Sequence, residues 1–130
     1  MTLAITSTVG NSLATALAGQ IGAGSIIEIR TGAKPGPGVA ATGTLLCSIT
    51  VTGSFTATGN SISAGDPATQ LPVANGTAGH FRLKTSGGTA VLEGDITDLA
   101  GNGDLKLTTT AVATTTPVDL GVPTFTVPLT

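Results

Sequence analysis

The stretch from His80 to Ile96 constrains the fold most, because its pattern predicts a β-hairpin almost residue by residue. Two runs of alternating residues flank Gly87-Gly88, and glycine supplies the positive φ that tight hairpin turns require. With these two glycines as the loop, apolar residues meet on one face and opposite charges meet on the other. The expected cross-strand pairs are Leu83 with Leu92, Arg82 with Glu93 and His80 with Asp95.

The amino-acid composition indicates an all-β protein. Hydrophobic residues make up 40% of the 130 residues and charged residues 9%, while Thr, Ser and Gly dominate the polar remainder. Threonine suits a pleated strand, whereas a solvated helix would need the long charged side chains that are scarce here. We therefore predict a single domain over residues 1–130, an antiparallel β-sandwich with jelly-roll-like topology. Residues 1–24 would form an N-terminal arm and one short helix, and residues 25–130 the sandwich.

The charge of the chain and its single cysteine argue against several classes of function. The net charge is −2 with five basic residues, so we expect no concentrated basic face for nucleic acid. No apolar run approaches the ~20 residues of a membrane-spanning helix, and the first residues lack the basic region of a signal peptide. A lone cysteine cannot form an internal disulfide, so folding should not depend on an oxidising compartment.

One helix is expected between Thr8 and Gly24, where the residues of one face recur every three or four positions and no longer every two. Asn11 or Ser12 could cap its start, and Gly19 or Gly22 could end it. The expected apolar stripe of this helix consists of Val9, Leu13, Ala16, Leu17, Gln20 and Ile21.

Two strands are predicted on either side of a loop rich in proline and glycine. Ser25–Thr31 and Thr44–Thr52 alternate in polarity, as half-buried strands do. Between them, Gly32–Gly43 contains Pro35, Pro37 and four glycines, so we expect a surface loop there. The inward residues of the two strands would be Ile27, Ile29, Leu45, Cys47, Ile49 and Val51.

The remaining segments are expected to be less regular than the hairpin. Gly53–Gly79 is predicted to be an irregular excursion with short strands near Phe55 and Ile62, because prolines interrupt pairing. Beyond the hairpin, we predict Asp98–Gly103 as a turn, Asp104–Thr110 as a strand with Leu105 and Leu107 inward, and Val122–Leu129 as an edge strand confined by Pro123 and Pro128.

Three candidate sites have both a structural and a chemical interpretation, and the structural one is favoured for each. His80 could be oriented by Asp95, but no serine, cysteine or second acid is tied to them by spacing, so a solvated pair is expected. Asp98 and Asp104 flank a glycine turn but lack the dense acidic alternation of a calcium loop. Cys47 would be a buried, inert thiol. We therefore predict no catalytic site, no metal and no cofactor.

Several motifs resemble those of small structural proteins encoded by tailed bacteriophages and prophages, and together they span most of the chain. In that family a short N-terminal helix precedes motifs of the form L-K-I-Y-x-G-x-x-P, A-T-G-T-L-L, G-T-A-x-W-F-R and G-T-x-V-x-D-G. This chain departs from the pattern at Gly36-Pro37-Gly38, which replaces acidic loop residues, and at His80, which replaces a tryptophan. The segments that carry the resemblance are Ser12–Leu17, Ile27–Pro35, Ala41–Leu46, Asn75–Leu83 and Gly88–Gly94.

The resemblance implies a non-enzymatic structural protein of a phage virion, made in the bacterial host cytoplasm. Its expected role is decoration or cementing of the capsid, with the major capsid protein, other virion proteins and further copies of itself as partners. Alternatives are a tail or head–tail junction component, and a host- or carbohydrate-binding sandwich. The absence of Trp and Tyr, which usually stack on sugars, argues against carbohydrate binding.

Apolar, uncharged chain ends indicate where contacts with neighbouring subunits would lie, because the ends of monomers usually fray as polar tails. We expect the N-terminal segment Met1–Ser7, the Gly32–Gly43 loop or the C-terminal strand to lie in such contacts. The candidate interface residues are Leu3, Ile5, Lys34, Pro35, Pro37, Val127 and Leu129.

Overall fold

The computed structural model describes residues 4–36 and 38–127. Within these ranges the chain forms one helix and nine strands, which we number in chain order. They are α1 (Ser7–Ile21), β1 (Ser25–Thr31), β2 (Leu45–Val51), β3 (Thr56–Thr58), β4 (Ser61–Ser63), β5 (Gly76–Lys84), β6 (Ala90–Asp98), β7 (Leu105–Leu107), β8 (Ala111–Val112) and β9 (Thr124–Thr126).

The strands form two sheets, and their mainly antiparallel pairing confirms the predicted all-β, sandwich-like fold. The larger sheet has the order β2-β1-β5-β6-β7, with the short β8 bonded to the start of β5. The smaller sheet has the order β3-β4-β9. The jelly-roll topology stays a prediction.

The hairpin formed by β5 and β6 has the predicted register but a different turn. The amide of Gly88 donates to the carbonyl of Thr85, and Gly88 adopts a φ of 92°, so the loop has three residues, Ser86–Gly88. A bulge after Leu83 compensates for the additional loop residue and restores the register beyond it. The opposed pairs are His80 with Asp95, Arg82 with Glu93 and Leu83 with Leu92, as predicted.

The observed bounds of β1 match the predicted ones, whereas its two neighbours in the sheet, β2 and β5, differ from the prediction. β5 begins at Gly76, so the irregular excursion predicted to reach Gly79 ends earlier. In β2 the predicted faces fail at the first two residues, since Leu46 is fully buried and Leu45 only half-buried. The cause is a β-bulge, because Leu45 lies opposite Arg30 and Cys47 opposite Ile29. Leu46 is thus an extra residue between them, and the alternation of faces shifts there.

The helix exists as predicted, and its end is at one of the two expected glycines. Gly22 terminates it with a φ of 68°, and its amide donates to the carbonyl of Ala18. The start differs, because Thr6 caps it in place of Asn11 or Ser12. The Thr6 hydroxyl accepts a hydrogen bond from the amide of Val9.

The buried face of α1 is rotated relative to the predicted stripe. Val9 and Leu13 are each 45% exposed, whereas the small residue that follows each of them, Gly10 or Ala14, faces the core. Small side chains let the helix lie close against β3 and β4, which it contacts. The buried residues of the helix are Gly10, Ala14, Ala18 and Ile21.

The core lies between the two sheets and the helix. The ring of Phe125 stacks on that of Phe81 with centroids 5.1 Å apart, and lies 6.0 Å from the ring of Phe55. These rings bring β9 of the smaller sheet onto β5, the central strand of the larger sheet. The other predicted inward residues that are buried are Ile27, Ile29, Cys47, Ile49, Val51, Leu105 and Leu107.

The segments after the hairpin are shorter or more tightly folded than predicted. The turn after β6 brings the chain back alongside the same strand, so that β7 runs parallel to β6, with Leu105 opposite Ile96. β9 is an edge strand, as predicted, but covers Thr124–Thr126 and not the whole of Val122–Leu129.

Candidate functional site, a buried charged layer

The face of the larger sheet opposite the core carries five charged side chains that are between 5% and 24% exposed. We call Glu28, Arg30, Arg82, Lys84 and Glu93 the charged layer. They lie on β1, β5 and β6, where the strand register places Arg82 between Glu28 and Glu93. The side chains of Arg82 and Glu93 are 6% and 5% exposed. The sequence predicted that β1 is half-buried and that opposite charges pair on the second face of the hairpin. The structure shows that this charged face is covered as well.

Each carboxylate of the charged layer binds basic side chains. Arg82 Nε donates to Glu93 Oε1 over 2.6 Å, and a second guanidinium nitrogen contacts the same oxygen. Glu28 accepts from Arg30 through Oε1 and from Lys84 through Oε2, both over 3.2 Å. Charge-assisted hydrogen bonds of this kind offset the cost of removing the charges from water. Every charge in the layer therefore has an opposite partner, and its three basic and two acidic side chains leave one net positive charge.

The Gly32–Gly43 loop covers the charged layer and is bonded to it through its own backbone. The carbonyl of Val39 accepts from Arg82 over 2.7 Å, and the amide of Gly36 donates to Glu93 Oε2 over 3.1 Å. The predicted surface loop is therefore also the cover that keeps water from the central ion pair.

The base of this loop is closed by backbone contacts that need glycine. The amide of Thr31 donates to the carbonyl of Thr44, and the amide of Thr44 donates to the Thr31 hydroxyl. Gly43 has a φ of 71°, and a Cβ there would overlap the Thr31 carbonyl oxygen. Arg30 also reaches the Gly43 carbonyl over 3.4 Å, which ties the loop base to the charged layer.

His80, predicted to be in a solvated pair with Asp95, is fully buried. Its Nδ1 lies 2.9 Å from the carbonyl oxygen of Gly32, and since a carbonyl can only accept, Nδ1 carries the proton. Nε2 is buried and has no hydrogen-bond partner among the described residues. Asp95, although opposite His80 in the register, accepts instead from Lys34 over 3.3 Å. The solvated-pair prediction is wrong because the start of the loop covers the imidazole.

The acidic residues near the turn after β6 act as acceptors for backbone amides. Asp98 Oδ1 accepts from the amides of Ala100 and Gly101, and Asp104 Oδ2 accepts from the amide of Asp95 over 3.0 Å. Among residues 4–36 and 38–127 no group of three or more His, Cys, Asp or Glu side chains could hold a metal ion. These carboxylates hold the turn in shape.

Cys47 lies on the core face, where the sequence placed it. Its Sγ is 3.7 Å from the carbonyl oxygen of Gln70. Burial raises the pKa of the Cys47 thiol, so the thiolate is scarce at neutral pH and the sulfur is a poor nucleophile.

A groove of about 570 Å³ lies between α1, the hairpin and β9. Asp104 is at the groove, but its carboxylate already accepts from the amide of Asp95. Glu93 also lines the groove, and its carboxylate is bonded to Arg82 and to the amide of Gly36. Both carboxylates at the groove therefore already have partners within the chain. Its apolar lining includes Leu17, Phe81, Leu92, Phe125 and Val127.

The predicted interface residues are spread over separate elements. Ile5 is half-buried just before α1, and Val127 is half-buried after β9, where its amide donates to the carbonyl of Asn60. Lys34 and Pro35 belong to the loop that covers the charged layer. Leu3, Pro37 and Leu129 lie outside the described residues.

Several apolar side chains outside the predicted interface residues are exposed. Leu71 and Val73, on either side of the buried Pro72, are 52% and 72% exposed. They lie in the segment predicted to be irregular, where no periodicity indicates which side chains face outward. The others are Val9, Leu13, Val39, Leu99 and Val122.

Comparisons with known proteins give no relative: no family model, curated protein or solved structure matches the chain. In the described ranges, α1 is neither long nor apolar enough to cross a membrane, and it is the one helix there. The function of the chain therefore has to be inferred from its own motifs and geometry.

Proposed function

We propose that the chain is a non-enzymatic structural protein of a tailed-phage virion that binds the capsid lattice as a decoration or cement protein. The observation that carries the proposal is the location of the motifs resembling phage structural proteins. They coincide with part of α1, with β1, the two ends of the covering loop, the start of β2, and with β5 and β6. Of these elements, β1, β5 and β6 carry the charged layer. The motif residues are spread along the helix, three of the long strands and the ends of the loop, and a distribution of this kind suits a structural role.

The distribution of charge supports the same proposal. Five of the chain's charged residues, out of five basic and seven acidic, are used in the charged layer. The outer surface is therefore even poorer in charge than the composition indicates. A surface of Thr, Ser and Gly can lie against neighbouring subunits without the cost of desolvating unpaired charges.

Particles of the phage or prophage that encodes the chain test this proposal. We expect cryo-electron microscopy of purified particles to show density for the two-sheet fold on the head, and to lose it when the gene is deleted. Adding purified protein to the deletion particles should restore the density. Density confined to the tail would replace the capsid role by a tail or junction role, and particles without any such density would overturn the virion assignment.

A matched pair of lysine variants tests whether the covering loop contacts the lattice. Lys34 is in the loop, whereas Lys106 is an exposed lysine on β7. We expect Lys34→Gln to reduce rebinding to the deletion particles and Lys106→Gln, which removes the same charge, to leave it unchanged. Equal rebinding of both variants would place the contact away from the loop.

A further inference from the structure

The larger sheet ends at β2, and among residues 4–36 and 38–127 only the first part of this strand's outer edge has a backbone partner. In the described part of the chain, β2 pairs with β1 and with no other strand. The carbonyl of Leu46 accepts from the amide of Val73 on the outer side, which covers the first part of the edge. Backbone groups of alternate residues point to the same edge of a strand, so Ser48 and Thr50 direct their amides and carbonyls outward. No described residue bonds to them there.

The other terminal strands have the protection that soluble proteins usually give to a sheet edge. β7 has three residues with Lys106 at its centre, and β9 has three residues with Pro123 directly before it. β3 also has three residues and contacts α1. Short strands, a lysine, a proline and a covering helix each prevent the pairing of a further strand.

β2 lacks these protections. It has seven residues, contains no proline and belongs to a stretch, residues 35–65, without a single charged residue. Its sequence is rich in the β-branched residues that favour pairing. Leu71 and Val73, both exposed, stand beside the covered end of the strand and add apolar surface to the open edge. An edge of this kind is a template for another strand.

We infer that β2 pairs with β2 of a second copy of the chain, antiparallel about a twofold axis at Ile49. In this register Ser48 of each copy lies opposite Thr50 of the other, and the outward amides and carbonyls of both residues gain partners. The two larger sheets then continue as one sheet across the axis.

Two features favour this occupant. An open backbone edge needs an extended backbone, because its donors and acceptors alternate at the spacing of a strand. Twofold pairing places identical segments against each other, which would repel if they were charged. The absence of charge over residues 35–65 removes that repulsion and makes β2 compatible with itself. The inference does not depend on the proposed virion role.

Light scattering coupled to gel filtration tests the inference on the purified full chain. We expect a mass twice the 12.5 kDa of one chain, with a shift to one chain on dilution. Thr50→Lys should halve the mass at the same concentration, because its charge would sit at the pairing edge. Thr56→Lys, at an exposed position on the short β3, should keep the full mass.

Hydrogen exchange of the unmodified protein gives a second measurement that needs no variant. The amides of Ser48 and Thr50 should be protected in the dimer and lose that protection on dilution to single chains. A chain that stays single at every concentration overturns the inference. So does a dimer in which these two amides exchange freely, since its interface would lie elsewhere.

Discussion

The two faces of the larger sheet are buried by opposite means. On the core face, Ile27, Phe81 and Leu83 are covered by apolar contacts with the smaller sheet and neighbouring side chains. On the other face, the charged layer is covered by a loop that binds it through directed hydrogen bonds. The stabilisation from apolar contact is proportional to the area buried and tolerates an imperfect fit. The burial of a charge is tolerated only while its particular partner is present. The two faces should therefore respond differently to the same kind of substitution.

The largest effect is expected on the core face. Phe81→Ala removes the ring that stacks on Phe125 and leaves a cavity between the sheets, so it should lower the free energy of unfolding by about 4 kcal/mol. Urea denaturation measures this value. Leu71→Ala, at a half-exposed apolar position, should change it little. A loss below about 1 kcal/mol for Phe81→Ala would mean that the sheets repack around the gap.

The charged layer should show a large loss that a second substitution reverses. Glu93→Leu leaves the Arg82 guanidinium buried without its carboxylate and should cost about 3 kcal/mol. The double variant Arg82→Met with Glu93→Leu removes both charges and should recover most of that loss. Denaturation of the single variants and the double variant gives the coupling energy. Additive losses would show that the pair does not act as a unit.

The base of the covering loop should be sensitive to a single methyl group. Gly43→Ala places a Cβ on the Thr31 carbonyl at a positive φ, so we expect a loss of about 2 kcal/mol. Gly53→Ala is the control, because Gly53 has an ordinary φ and open space around its Cβ position. If both variants unfold at the same urea concentration, the loop base can relax around the new group.

The smallest effect is expected at the rim of the same loop. Lys34 and Asp95 are 43% and 56% exposed, so solvent screens their ion pair. Lys34→Ala should therefore change the free energy of unfolding by less than about 0.5 kcal/mol. A chemical denaturation curve that coincides with that of the unmodified chain would agree with this. A loss as large as that of Glu93→Leu would mean that the rim pair holds the loop closed.

The strand pairing within the hairpin was predictable from the sequence, because the residues that determine it lie close together in the chain. The hairpin register follows from the match of Arg82 to Glu93 and of Leu83 to Leu92 across a glycine turn. The predicted loop was one residue too short, and the register is still the predicted one because a bulge compensates. The sequence pattern identifies which residues must face each other but leaves open how the chain reverses between them.

The helix face was missed for a different physical reason. The prediction weighted the bulk of Val9 and Leu13, whereas the small size of Ala14 and Ala18 decides which side approaches β3 and β4 closely. Hydrophobic periodicity does not distinguish a helix face that packs through large side chains from one whose small side chains let the helix approach a sheet closely.

The candidate site was predicted in part. The hairpin pattern in the sequence predicts the Arg82–Glu93 pair. It does not predict that the pair is buried, because the cover is supplied by the backbone of Gly36 and Val39. Backbone donors and acceptors have no residue type, so no motif reveals which loop atoms will bind a distant side chain. His80 was placed in solvent for the same reason.

The central position of β5 also has a kinetic consequence. Arg82 and Glu93 are 11 residues apart in the chain, whereas Glu28 and Lys84 are 56 apart. Closing the longer segment costs more chain entropy, so the hairpin should form before β1 docks beside it. Folding should take on the order of milliseconds to seconds, as it does for domains rich in distant contacts. During that interval Arg82 is still hydrated, and expelling its water belongs to the last step, when β1 and the loop arrive together.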